Sequence, residues 1–213
     1  MKQTIVRNFI NGQWEDSASG RYLDLVSPVD GALLGKVSLS DEASLDSAVT
    51  AAKKAFPGWS NTPIKERVQV FFRFRERLLE HRNELVEMIT RENGKTTGES
   101  LAEVDKCIEL TEFATSLPQL VAGEILEVSK GVECRAERVP AGIVASIVPF
   151  NFPAMVPCWS MPNALVLGNC MIMKPSEKVP QTLCRIAELL QQSGLPDGVF
   201  NIVNGDAEIV NAI

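Results

Sequence analysis

Two short loops combine residue types that could do chemistry. The first, residues 149–153, holds Asn151 between two phenylalanines and two prolines. Proline fixes φ and biases the residue before it towards extended geometry, so this loop should be stiff. A stiffly held side-chain amide is a good hydrogen-bond donor to a developing oxyanion. Alternatively, Asn151 caps the helix that follows, and the local sequence by itself favours that interpretation.

The second loop, residues 174–178, places Lys174 at the end of an apolar run and Glu177 three residues later. A lysine can hold ribose hydroxyls or a phosphate, and a glutamate can accept hydrogen bonds from a ribose diol while repelling a 2′-phosphate. In the alternative interpretation, Ser176 or Glu177 lies in the first turn of a helix and Lys174 is in solvent. This loop alone does not decide between them.

The elements around both loops indicate an α/β fold. Only 8 of the 48 charged side chains and as many as 8 of the 12 prolines follow residue 138. Apolar runs at 141–148, 170–173 and 199–203 predict buried strands, and helical patterns at 154–167 and 179–193 separate them. This βαβαβ order predicts a parallel, Rossmann-like sheet, with both loops at the carboxyl ends of strands, where ligands bind.

Residues 1–139 predict short strands, helices and an extended arm. Strands are expected at 5–10 and 22–26, followed by a helix that begins after Ser40 and stops at Pro57-Gly58. Further helices are expected from Pro63, up to Asn93-Gly94, and over about 99–117. Residues 125–139 are interpreted as an exposed arm. We therefore expect one unit at 1–139 and another at 140–213.

Composition excludes several classes of function. A net charge of −6 and a pI near 5.0 argue against nucleic-acid binding. No run approaches the roughly 18 apolar residues that a membrane span needs, and the first residues do not resemble a secretory signal, so a cytoplasmic location is expected. With His81 as the only histidine, no metal site is predicted. The five scattered cysteines are expected to be reduced and non-catalytic.

Taken together, residues 149–153 and 174–177 resemble the aldehyde dehydrogenase superfamily. Residues 11–14, 92–95, 142–144 and 194–201 fit the same pattern, so the resemblance runs along the whole chain. Within the superfamily, residues 150–157 and 174–180 are most similar to the CoA-acylating branch that oxidises methylmalonate semialdehyde. That branch commonly carries an arginine on the helix containing residues 102–107, where this chain offers Lys106, which lacks the bidentate guanidinium.

The resemblance implies NAD as cofactor and a fold that binds it without a glycine fingerprint. Val148 and Phe150 would line the cofactor cleft. Lys174 and Glu177, with Lys178 beside them, would hold the adenosine ribose.

The resemblance also implies covalent catalysis on a small semialdehyde. A cysteine attacks the aldehyde, Asn151 stabilises the resulting oxyanion, hydride passes to NAD, and the thioester is released to water or to coenzyme A. Phe152, Val156 and Trp159 would face the substrate channel. A homo-oligomer, dimer or tetramer, is expected for the full-length protein.

The nucleophilic cysteine of the superfamily would lie in a catalytic domain beyond Ile213. We therefore expect this chain to be an N-terminal part that is inactive alone. Two alternatives stay open: a non-catalytic nucleotide-binding or oligomerisation module whose arm adds strands to a partner, and part of a hydrolytic dehydrogenase of the succinate-semialdehyde type.

Overall fold

The computed structural model of the protein describes residues 4–213. In chain order, the strands and helices are β1 (Ile5–Val6), β2 (Asn8–Ile10), β3 (Gln13–Glu15), β4 (Arg21–Val26), β5 (Leu33–Leu39), α1 (Glu42–Asn61), α2 (Ile64–Glu80), α3 (Arg82–Asn93), α4 (Thr97–Thr115), α5 (Leu117–Leu120), β6 (Glu124–Ser129), β7 (Val132–Ala136), β8 (Ile143–Ile147), α6 (Met155–Val166), β9 (Cys170–Lys174), α7 (Pro180–Gln192), β10 (Phe200–Ile202) and α8 (Ala207–Ala212).

The central sheet confirms the predicted α/β class. Its five strands lie in the order β3-β2-β10-β9-β8, and β8, β9 and β10 are parallel and connected by the crossover helices α6 and α7. The sheet also contains a hairpin that the local pattern did not assign to it. Strand β2 pairs antiparallel with β10, placing Phe9 opposite Ile202, and β3 pairs with β2.

The turn of that hairpin requires an unusual backbone. Asn11 and Gly12 both have positive φ, 50° and 76°, as a two-residue hairpin turn needs. The Asn11 N–H donates to the Asn201 side chain at 2.9 Å, so the turn is tied to β10. Residues near the start of the chain therefore belong to the same sheet as residues after 140.

The helices pack on this sheet, and their ends differ in places from the prediction. Asp41, rather than Ser40, caps α1 and accepts from the Ser44 N–H. Helix α1 also continues through Pro57 to Asn61. The reason lies in its last turn, where Trp59 is buried and its Nε1 donates to the Leu165 carbonyl at 2.9 Å.

Two further elements were placed imperfectly from the sequence. Strand β5 was missed, although it lies between β1 and β4 in a three-stranded sheet. Helix α4 begins at Thr97, earlier than expected, because Thr96 and Glu99 form a capping box. Within residues 4–213, no helix is long and apolar enough to cross a membrane.

The arm forms a two-stranded antiparallel sheet of β6 and β7. Every residue of both strands is exposed. Ile125 and Leu126 are 66% and 64% exposed, and Val128 and Val132 are also open to solvent. Such a ribbon, with apolar side chains on the surface, is a candidate contact surface.

The anchor of α1 yields a prediction about stability. Trp59→Phe removes the hydrogen bond to Leu165 and leaves a small cavity, so we expect it to lower the free energy of unfolding by about 2 kcal/mol. The matched control is Trp159→Phe, since Trp159 is 54% exposed and should change stability by less than about 0.5 kcal/mol. Urea unfolding of both variants measures this, and equal stability losses would contradict the prediction.

Candidate functional site

Parallel pairing of β8 and β9 brings the two loops together. Ile147 lies opposite Lys174, the last residue of β9. Just beyond β8, the Val148 N–H donates to the Lys174 carbonyl at 3.0 Å, and Val148 itself is buried. Residues 149–153 and 174–178 therefore start side by side at one edge of the sheet.

Lys174 and Glu177 form a preformed ion pair in the second loop. Lys174 is 3% exposed, and its Nζ lies 3.0 Å from Glu177 Oε2. Helix α7 begins only at Pro180, so the interpretation of Glu177 as a first-turn residue beside a solvated lysine is wrong. Although burial acts to raise the pKa of Glu177, its own backbone N–H and the Lys174 ammonium hold that pKa below its ordinary value.

Phe150 and Lys178 complete this group of side chains. The Lys178 ammonium lies 4.9 Å from the centroid of the exposed Phe150 ring, within cation–π range. A groove of about 370 Å³ runs beside them, with Phe150, Glu177 and Lys178 on one wall and β4 on the other. The structure thus places Phe150, Glu177 and Lys178 around a single concave surface, with the buried Lys174 bonded to Glu177 behind it.

Asn151 is exposed and does not cap a helix. Helix α6 begins after Ala154, which makes no side-chain cap, so the capping interpretation of Asn151 is wrong. Within residues 4–213, the Asn151 side chain forms no hydrogen bond, whereas the residues on either side of it are held. The Asn93 Nδ2 donates to the Phe150 carbonyl at 2.7 Å. The Asn151 amide is therefore free to bond a ligand.

The three residues expected in the substrate channel follow Asn151 along the chain, one in its loop and two on α6. Val156 and Trp159 are three residues apart on α6 and so share one face of that helix. Val156 is half-buried and Trp159 is exposed. Phe152 is half-buried, with its ring under the Lys95 ammonium at 3.8 Å.

Sequence reasoning missed two buried glutamates that support these loops. Glu103 of α4 accepts through Oε1 from the N–H groups of Ala154 and Met155, at 2.8 and 3.1 Å. Glu92 of α3 accepts from the N–H groups of Gln181 and Thr182, at 2.9 and 2.8 Å. Each glutamate therefore caps the first turn of one crossover helix.

A signal for these glutamates was present in the sequence. Leu85, Ile89 and Glu92 follow at the spacing of one helical face, and so do Ser100, Glu103 and Cys107. A carboxylate on a stripe that is otherwise buried needs a partner inside the protein. Their positions on buried helix faces therefore indicate that both glutamates bond to groups inside the protein.

Comparison with known proteins shows the family of this chain. The sequence profile described as "Aldehyde dehydrogenase family" matches residues 14–213. This chain belongs to the aldehyde dehydrogenase family.

Individual relatives of the chain share sequence and structure with nearly all of it. The chain is 46% identical over 209 residues to a malonate-semialdehyde dehydrogenase of Lacticaseibacillus casei, covering 98% of this chain and 42% of that protein. It resembles the crystal structure of a methylmalonate-semialdehyde dehydrogenase from Oceanimonas doudoroffii, with a TM-score of 0.95 and 42% identity, over 98% of this chain and 43% of that one. It also matches a Sinorhizobium meliloti 1021 protein complexed with NAD, with a TM-score of 0.97 and 39% identity, over 99% and 43% of the two chains.

The chain spans less than half the length of these relatives. In this aldehyde dehydrogenase chain, two thiols, Cys107 and Cys170, are not set up as nucleophiles. Burial raises the pKa of Cys170 to about 11, and it also raises the pKa of Cys107. Both are therefore neutral thiols near pH 7. Within residues 4–213, no three His, Cys, Asp or Glu side chains are grouped to hold a metal ion.

Glu92 is a buried carboxyl group with a strongly raised pKa. It is 4% exposed, and burial raises its pKa from 4.5 to about 7, against the opposing hydrogen bonds from Thr182 and Gln181. Repulsion by the neighbouring Glu103 carboxylate is a second cause of this raised pKa. The folded protein therefore binds a proton at Glu92 more tightly than the unfolded chain does.

This raised pKa predicts a pH-dependent loss of stability. The contribution of protonated Glu92 is fully present below about pH 4.5 and is lost as the pH rises towards 7. Glu92→Gln removes the titration but keeps an acceptor oxygen. Between pH 5 and 8, the free energy of unfolding of the wild type should therefore fall by about 3 kcal/mol relative to E92Q.

Urea unfolding across this pH range measures the difference. The matched control is Glu87→Gln, an exposed residue of the same helix, which should leave the pH dependence of the wild type unchanged. A constant difference between wild type and E92Q from pH 5 to 8 would show the prediction to be wrong.

Proposed function

We propose that this chain supplies part of the NAD site and the oxyanion-stabilising loop of an enzyme that oxidises a semialdehyde of the malonate or methylmalonate type to an acyl-CoA. One observation carries the proposal: an ion pair between the buried Lys174 and the partly exposed Glu177, and a free Asn151 amide, lie at the ends of adjacent parallel strands. The names of the relatives at 42–46% identity support the substrate class. We also propose that residues 140–213 are the first half of the NAD-binding sheet.

The Lys174–Glu177 pair has the chemistry to hold a ribose. The ammonium offers donors and the carboxylate offers acceptors, so the two hydroxyls of a diol can bond both groups. The carboxylate also repels a 2′-phosphate, which favours NAD over NADP. Val148 and Phe150 would line the cleft beside it, with Lys178 at its edge. Bound there, NAD would accept the hydride.

Asn151 would act on the substrate oxygen. When a thiolate adds to the aldehyde, the carbonyl oxygen gains negative charge, and the side-chain amide donates a hydrogen bond to it. The nucleophilic cysteine belongs to the remainder of the enzyme. Phe152, Val156 and Trp159 would border the aldehyde, and coenzyme A is the proposed acyl acceptor that releases the thioester.

The arm of β6 and β7 is the proposed contact between subunits. Its exposed Ile125, Leu126 and Val132 would be covered when the ribbon adds to a partner of the same kind. A homo-oligomer of the full-length protein is therefore part of the proposal.

The role of Asn151 predicts a selective loss of turnover. In the full-length enzyme, Asn151→Ala should lower kcat by about 10²- to 10³-fold, with little change in the Kd for NAD. The 213-residue chain alone should form no NADH from methylmalonate semialdehyde, NAD and coenzyme A. NADH absorbance measures turnover, and calorimetry measures the Kd for NAD. Asn61→Ala, at an exposed residue at the end of α1, is the control.

Three outcomes would contradict this proposal. NADH formation by the purified 213-residue chain would show that the nucleophile is within it. A full-length protein that binds NAD but oxidises no semialdehyde would favour a nucleotide-binding module. Product release without added coenzyme A would instead assign the enzyme to the hydrolytic type.

The proposed role of the Glu177 carboxylate predicts a preference for NAD over NADP. In the full-length enzyme, Glu177→Gln should raise KM for NAD about tenfold, because one acceptor for the ribose diol is weakened. It should also lower the preference for NAD over NADP, because the repulsion of a 2′-phosphate is removed. Glu188→Gln, at a half-exposed residue of α7, is the matched control. An unchanged ratio of kcat/KM values for the two cofactors would contradict the assignment.

A further inference from the structure

The backbone around Asn151 is held on both sides while its side chain stays free. On one side, the Phe150 carbonyl accepts from Asn93 Nδ2 at 2.7 Å. On the other, the Phe152 ring lies 3.8 Å from the Lys95 ammonium. Asn151 itself forms no side-chain hydrogen bond to any of residues 4–213. A free amide on a fixed backbone is an arrangement that suits a ligand-binding group.

Glu103 provides a third point of attachment just beyond Phe152. Its Oε1 accepts from Ala154 N–H and Met155 N–H, and its Oε2 forms a close ion pair with Lys95. The Glu103 side chain is 1% exposed. One carboxylate therefore joins the start of α6 to the lysine that contacts Phe152.

All of these contacts come from residues 93–103, which run from the last residue of α3 into α4. Gly94 ends α3 with φ 83°, and an added Cβ there would lie 3.0 Å from Pro28 Cγ. The Thr96–Glu99 capping box then starts α4. The stretch that carries Asn93, Lys95 and Glu103 is thus tightly defined at both helix ends.

We propose that Asn93, Lys95 and Glu103 form a clamp that positions the Asn151 amide. This inference rests on the proposed role of Asn151 as an oxyanion donor. Such a donor is effective when it is oriented before the charge develops, because no ordering cost then remains at the moment of reaction. The three clamp residues are positioning residues, since they act on the substrate only through Asn151.

The composition of the clamp favours positioning over stability. A buried ion pair seldom stabilises a protein more than apolar residues of the same shape would. A serine or aspartate in place of Ala154 would also cap α6 more simply. What the Lys95–Glu103 pair adds is a fixed link between α6 and the loop that contains Asn151.

Backbone ordering at Asn151 tests the clamp directly. The experiment is ¹⁵N relaxation of the 213-residue protein labelled at asparagine. The Asn151 signal is identified as the one that N151Q removes. The order parameter at Asn151 should be about 0.85 in the wild type and fall below about 0.6 in Lys95→Met and Glu103→Ala. Glu103→Gln keeps an acceptor for both N–H groups but loses the ion pair with Lys95, so its order parameter should lie between those of the wild type and E103A.

Lys106→Met is the matched control, because Lys106 forms an exposed ion pair with Glu109 on the same helix. It should leave Asn151 unchanged. An order parameter near 0.85 in K95M would overturn the proposal, and so would an equal loss of order at all asparagines. K95M and E103Q keep side-chain volume, so the test stands even if E103A does not fold.

Kinetics of the full-length enzyme separate the two proposals. K95M should lower kcat at least tenfold with KM for NAD unchanged, and should have no further effect in the N151A background. If N151A itself leaves kcat unchanged, the proposed role of Asn151 fails. If N151A lowers kcat and the effects of K95M and N151A multiply, the clamp fails and the role of Asn151 stands.

Discussion

The interaction on which this structure depends is a buried glutamate at the start of each crossover helix. The first N–H groups of a helix have no partner within it and need acceptors from elsewhere. Within the described residues 4–213, neither α6 nor α7 has a side-chain cap at its own N-cap position. Glu103 and Glu92 supply those acceptors from α4 and α3. The helices of the first half of the chain thereby fix how the second half is placed.

The two glutamates meet the cost of burial in different ways. Glu103 is paired with Lys95, so its charge is balanced within the protein. Glu92 has only hydrogen bonds and a neighbouring carboxylate, and its pKa rises to about 7 as a result. An ionised group with a partner can be buried beside the loop of Asn151, whereas one without a partner tends to take up a proton.

The parallel strands of the central sheet and the crossover helices between them were readable from the sequence because they depend on local patterns. The apolar runs predicted β8, β9 and β10, and their parallel order placed Lys174 and Asn151 at one edge. Pairing between distant segments left no such pattern, since Phe9 meets Ile202 only in the folded sheet. The same limit explains Asn151, whose local preference for capping lost to Glu103, a residue about fifty positions earlier.

The two parts of the candidate site are prepared in opposite ways, and each suits its proposed ligand. Lys174 and Glu177 already bond each other, so their charges stay balanced when the site is empty and a diol can bond both. Asn151 is neutral and needs no such partner, so its side chain stays free while its neighbours are held. A buried charge without a partner would cost far more free energy than a neutral amide that is exposed to water. The difference in charge thus accounts for why one part of the site is closed on itself and the other is open.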